Sequence, residues 1–217
     1  MISRHFPFTI PHSLFSIRHF LFTIHYLLFT ILFVVACGRP SGFGIGGRYL
    51  DAKSEIVKRR GNINRAITKL EYVVRRDPFY EDSLTLLGRA YYKRGRYQDA
   101  FEILKRALAV NPEDEIAWIM LGLTQLRLGD DIRGLESFKG GLTLLSKVSK
   151  DGYRGLDFWD KNRLVRSALR KAILYVSKGL EEKKRIIQSG EILLARIDDE
   201  EWFGKREQFT EDVRVDK

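Results

Sequence analysis

The side chains that most often carry chemistry are unevenly spread along these 217 residues. Cysteine occurs once, as Cys37, and the four histidines, His5, His12, His19 and His25, all precede it. A lone thiol can be acylated or can act as a thiolate nucleophile, but it cannot close an intrachain disulfide. Beyond Cys37 there is no imidazole to serve as general base, zinc ligand or triad member. No pair of Asp or Glu residues stands where it would be placed for glycan hydrolysis. The cluster Gly42-Phe43-Gly44-Ile45-Gly46-Gly47 has no strand before it, so it reads as a flexible tether rather than a phosphate loop. What remains downstream of Cys37 is the chemistry of binding.

The elements that must position the binding groups are set by a long period. Gly61, Gly95 and Gly129 sit at 34-residue intervals. Five positions after each comes Ala66, Ala100 or Gly134, and nine positions after comes Leu70, Leu104 or Phe138. Pro78 and Pro112 follow in register, with Ser146 where the third copy departs. Such a period with helix-like spacing inside it predicts a helix–turn–helix repeat array. In the middle copy, Leu84, Leu87, Gly88 and Tyr91 share one helical face, and Ala100, Phe101, Leu104, Ala107 and Leu108 share another. Gly95 is suited to end the first helix in the left-handed region, and Asn111-Pro112 closes the unit. Gly88, Ala100 and Ala107 are small where paired helices must approach closely.

These residues resemble the tetratricopeptide repeat family: Leu87-Gly88, Tyr91, Ala100, Leu104, Ala107 and Pro112 in one copy, then Trp118, Leu121-Gly122, Gly134, Phe138 and Gly141 in the next. The third copy departs from the family pattern at Gln125, Gly141 and Ser146, and the first has Lys53-Ser54 where a bulky–small pair is usual. The resemblance implies an all-α array of three repeats, 47–80, 81–114 and 115–148, whose first helices form a concave face where ligands lie. Carried over by register, the middle copy offers Asp82, Thr85, Arg89, Tyr92 and Lys93 as a protein-binding groove. In the third copy the matching stripe, Ile116, Ile119, Leu123 and Leu126, is apolar, while Trp118 and Leu121 fill the usual core face. A helix apolar on both sides must be buried on both sides, so the C-terminal segment or a partner is expected to cover that stripe, the former in preference. The asparagines of the family's carboxylate-clamp subgroup are absent from these positions, which argues against that role.

Residues 1–36 differ from the rest: they hold no Asp or Glu and are crowded with Phe, Ile and Leu. The run Leu21 to Ala36 lacks Lys and Arg and leads into Cys37-Gly38, which reads as an export signal. Val34-Val35-Ala36-Cys37 resembles the lipobox of bacterial lipoproteins, which implies cleavage before Cys37 and its lipidation. Arg18, His19 and His25 argue against an uncleaved span. Gly38 resembles the sorting context of outer-membrane lipoproteins facing the periplasm. A period-seven motif in the leader, RHFPFTI-PHSLFSI-RHFLFTI-HYLLFTI, suggests translated tandem-repeat DNA. A cytoplasmic repeat scaffold with a mis-assigned start is therefore the alternative.

The chain carries +10; the leader contributes Arg4 and Arg18 and no acid, which leaves +8 after it. Lys58-Arg59-Arg60, Arg75-Arg76 and Lys183-Lys184-Arg185 are interleaved with acids, so solvated helix faces are expected rather than nucleic-acid contacts. A basic surface near anionic lipid or an acidic partner is the functional reading kept. The predicted organisation is a signal peptide (1–36), a lipidated tether (37–46), the repeats (47–148), a helical hairpin or degenerate fourth repeat (149–200) and a charged tail (201–217). Within the hairpin, Val165 to Val176 reads as one helix, and Ile186 to Ile197 as a second, weakened at Gly190. The sequence thus predicts a non-catalytic, cofactor-free and metal-free adaptor for an envelope protein or peptide, anchored to the membrane through Cys37.

Overall fold

The computed structural model describes residues 44–58, 60–149 and 160–215. The leader, Cys37 and the tether up to Phe43 lie outside them. All regular structure among the described residues is helical. Three helix pairs come first: α1 (Ile45–Val57) with α2 (Ile63–Arg76), α3 (Ser83–Lys93) with α4 (Tyr97–Val110), and α5 (Glu115–Leu128) with α6 (Asp131–Val148). Helix α7 (Leu164–Ser177), a 3₁₀ turn at Leu180–Glu182 and α8 (Lys183–Val215) close the array. None of the described helices is long and apolar enough to cross a membrane.

The second and third pairs turn by the same device. After α3, the Gly95 amide donates to the Tyr92 carbonyl and the Arg96 amide to Tyr91. After α5, Gly129 donates to Leu126 and Asp130 to Gln125, one period later. Both glycines have positive φ, 74° and 89°, the left-handed cap that satisfies the last helical carbonyls. Helix starts are capped in turn: Asn62 Oδ1 accepts from the Arg65 amide, and Asp114 Oδ1 from Ala117.

The second and third pairs are each held by a small residue facing a large one. A Cβ on Gly88 would lie 2.6 Å from Leu104 Cγ, and one on Gly122 would lie 2.4 Å from the Phe138 amide nitrogen. In the third pair Gly134 and Gly141 also meet backbone atoms of α5, at Leu126 and Ile119. Gly141, a departure from the family pattern, is thus the residue that lets α6 approach the backbone of α5. Fully buried Ile56, Leu70, Leu87, Leu104, Phe138 and Leu145 run the core through all three pairs. Gly44–Lys217 is one compact unit, and the buried core of the described residues lies between Tyr49 and Ile197.

Two expectations for the C-terminal third are corrected. Gly190 does not weaken the second helix: α8 passes through it unbroken. A Cβ there would lie 2.8 Å from Phe138 Cζ and 2.9 Å from Leu123 Cδ2, so the glycine is required by close packing on α5 and α6. Nor does that helix end at Ile197: it continues through the acidic run Asp198–Glu201 to Val215, through the stretch expected as a charged tail. Its carboxylates find cations instead: Asp198 faces Arg89, Glu201 faces Lys53 and Asp199 faces Arg196.

Candidate functional site

Helices α1, α3 and α5 stand side by side and make the inner face of the array, and α8 lies against α1 and α5. Every residue of α3 from Ser83 to Tyr92 is buried, Thr85, Arg89 and Tyr92 of the polar stripe included, whereas Asp82 is half-buried and Lys93 exposed. At its start, Asp82 accepts from the Tyr49 hydroxyl and stands 3.6 Å from Lys53 Nζ. The Thr85 hydroxyl donates to Asp114 Oδ2 at 2.6 Å, which ties α3 to the cap of α5.

Arg89 is the centre of the face. Its Nη2 donates to Asp198 Oδ1 of α8 at 2.6 Å, with the two residues only 6% and 5% exposed. Burial disfavours the guanidinium charge, but the charge and hydrogen bond of Asp198 more than offset this and move its pKa up. One turn on, the Tyr92 hydroxyl donates to Glu191 Oε1 at 2.7 Å. Arg127 of α5 donates to both, at 3.3 Å to Tyr92 and 2.9 Å to Glu191. Burial pushes the Tyr92 phenol pKa up, the Arg127 hydrogen bond opposes that, and Glu191 adds to it. Lys93 Nζ donates to the Ile56 carbonyl of α1 at 2.6 Å and lies 3.8 Å from Asp198. Burial and the neighbouring Arg89 lower its pKa, against the pull of Asp198. Lys53 stands 3.8 Å from Glu201.

The inner face is therefore a row of cations and hydroxyls, and one face of α8 answers it with Glu191, Asp198 and Glu201. These recur at helical spacing, which is why a single helix can reach the whole row. The fit is incomplete. A cavity of about 340 Å³ remains between α3, α5 and α8, bounded by Arg89, Tyr97, Met120, Leu194 and Ala195 among others. The Nε of Arg89 is buried there without a hydrogen-bond partner.

The apolar stripe of α5 divides between two neighbours. Ile116, Ile119, Leu123 and Leu126 are all buried. Leu123 lies beneath Gly190 of α8, whereas Ile119 and Leu126 turn toward Gly141 and Gly134 of α6. Met120, which the register did not single out, faces the cavity with Leu194. Glu191, Asp198, Glu201 and Arg127 were also missed; the helical spacing of the three acids was the signal available for them.

An open cleft of about 360 Å³ lies at the other end of the inner helices, where α3 and α5 begin. Glu81, Asp82, Thr85, Val110, Asn111 and Asp114 line it. Two of the predicted groove residues, Asp82 and Thr85, thus border an accessible hollow, while Arg89 and Tyr92 are engaged by α8.

The tetratricopeptide repeat family model matches residues 81–124, which span α3, α4 and the first part of α5. No curated protein matches the chain at a significant level. Among the described residues, no group of three or more His, Cys, Asp or Glu is placed to hold a metal ion. The repeat match and the paired helices describe an all-α repeat protein of the protein-interaction scaffold type.

Proposed function

We propose that this scaffold is an exported, lipid-anchored adaptor of a bacterial cell envelope. It is held at the membrane through acylated Cys37, on the periplasmic side of the outer membrane, and presents its repeats to an envelope protein or peptide. The reading rests on one conjunction: an interaction-repeat array lies directly downstream of a lone cysteine in the context Val34-Val35-Ala36-Cys37-Gly38. The histidine-free sequence after that cysteine suits binding and not catalysis. Because α8 occupies much of the inner face, the partner enters at the cleft where α3 and α5 begin, beside Asp82 and Thr85.

The test pairs two changes in the native host. Cys37→Ala is expected to abolish fatty-acid labelling and to release the protein from the membrane fraction. Unaltered fractionation with no loss of label refutes the lipoprotein reading and favours the cytoplasmic scaffold. Glu81→Lys with Val110→Asp, both at exposed positions lining the cleft, is expected to remove the partner that co-purifies from solubilised envelope. Retention of that partner by a folded variant refutes the cleft assignment.

A further inference from the structure

The outer surface around α7 is basic. Between Asp160 and Glu181 the sequence holds Lys161, Arg163, Arg166, Arg170, Lys171 and Lys178 and no acid. The facing half of α6, from Ser137 to Ser149, carries Lys139 and Lys147 and again no acid. In α1, α4 and α8 acids are interleaved with bases. Here Lys139, Lys147, Arg170 and Lys171 are exposed, and none of them pairs with a carboxylate among the described residues. Arg166 is the exception on this helix, 3.3 Å from the buried carboxylate of Asp160.

Apolar side chains share that surface. Ile173 and Leu174 of α7 are 44% and 52% exposed. On one side of α7 a furrow of about 520 Å³ against α6 is lined by Leu135, Leu142, Ile173 and Val176, with Lys139 and Lys147 at its edge. On the other side a furrow of about 380 Å³ against α8 is lined by Leu164, Lys171, Tyr175 and Ile192 with Arg185 and Arg196. Among the described residues, no carboxylate lines either furrow. Arg185 and Arg196 pair with acidic neighbours one turn away, half-buried Glu182 and exposed Asp199. Helical spacing puts Arg170, Leu174 and the C-cap Lys178 on the ridge between the furrows.

We propose that this ridge is a membrane-surface contact that lies on anionic lipid headgroups. A helix that mixes Lys and Arg with exposed Leu and Ile on its outward side has the composition of an interfacial element. Its unpaired cations, Lys139 and Lys147 of α6 and Arg170 and Lys171 of α7, are spread over two helices and do not converge on one point. That distribution suits a plane of many headgroups better than a single acidic side chain. The cations supply attraction within roughly a Debye length, and Ile173 and Leu174 enter the headgroup boundary. This contact would add to the Cys37 anchor proposed above and does not require that anchor.

The test uses Gly44–Lys217, the compact unit that carries the described core and lacks both leader and cysteine, so the anchor cannot contribute. Co-sedimentation is measured with vesicles of phosphatidylcholine alone and of phosphatidylcholine mixed with phosphatidylglycerol. Binding is expected only to the mixed vesicles and is expected to fall with added salt. Arg170→Gln with Lys171→Gln should weaken it by about fivefold per cation removed. Leu174→Ser should weaken it with the salt dependence retained. Matching thermal melts establish that each variant is folded. Equal binding to both vesicle types, no binding, or no effect of the double Gln variant overturns the proposal. So does binding to polyglutamate or to an oligonucleotide with none to anionic vesicles, which would assign the ridge to an acidic macromolecule.

Discussion

Replacing Arg89 by Met removes the guanidinium from a contact of 2.6 Å and leaves Asp198 as a buried carboxylate. Breaking one side of a buried ion pair costs about 3–5 kcal/mol, because the remaining charge has lost both water and partner. Lys93, 3.8 Å from the same carboxylate, supplies some compensation and places the expected cost near the lower end, about 3 kcal/mol. Arg89→Met with Asp198→Leu removes both charges and fills the space with apolar groups. It also removes the buried Nε that has no partner. This double variant is expected to match or exceed the native stability, since such replacements are often neutral or stabilising. Urea unfolding of the native protein, both single variants and the double variant gives the coupling energy by a double-mutant cycle. A single Arg89→Met change within about 0.5 kcal/mol of native, or simple additivity of the two singles, refutes the lodging of α8 on the inner face.

Gly140 and Gly141 are adjacent but should respond to alanine with opposite signs. A Cβ at Gly141 would lie 2.6 Å from the Ile119 amide nitrogen and 3.0 Å from the Glu115 carbonyl, so Gly141→Ala should destabilise by about 1–3 kcal/mol. Gly140 has nothing within 4 Å of its missing Cβ, and Gly140→Ala should stabilise by about 0.5–1 kcal/mol, both read from thermal denaturation. Burial, with the hydrogen bond to Glu71, pushes the Tyr91 phenol up to about 12 from an ordinary value of 10.0. Its folded pKa exceeds its unfolded one, so its contribution is intact below pH 10 and is lost as pH rises toward about 12. A tyrosinate absorbance titration should show late-ionising groups in the folded protein, with unfolding midpoints that fall across the same window.

The turns were legible because each depends on a few neighbouring residues. Gly95 and Gly129 recur in sequence and recur in structure, with the same pair of capping hydrogen bonds. Gly61 keeps the period for another reason: its φ is not positive, and a Cβ there would lie 1.7 Å from the Glu55 carbonyl oxygen. One letter at one spacing therefore answers to two physical demands. Register also found the inward side of α3, since Arg89, Tyr92 and Lys93 do lie together. What it could not supply was their partner. Arg89 and Asp198 are separated by 109 residues, and no local periodicity links them. The same limit hid the role of Gly190: an isolated glycine in a helical pattern looks like weakness until Phe138 and Leu123 are seen against it.

The pairing on the inner face bears on the charge of the outer one. Glu191, Asp198 and Glu201 belong to α8, which neighbours the basic helix α7, yet they turn inward to Arg127, Arg89 and Lys53. Acids that could have neutralised the outer ridge are spent on the array's cations, and Arg170 and Lys171 are left without them. The inward-turned carboxylates of α8 thus leave the basic charge of α7 in place. The two surfaces are coupled through one helix. Charge reversal at Asp198 or Glu201 would act first on the lock with α3 and α1, whereas changes at Arg170 or Lys171 would leave that lock untouched. Separable effects of these two sets on stability and on surface binding follow directly from which way α8 turns its carboxylates.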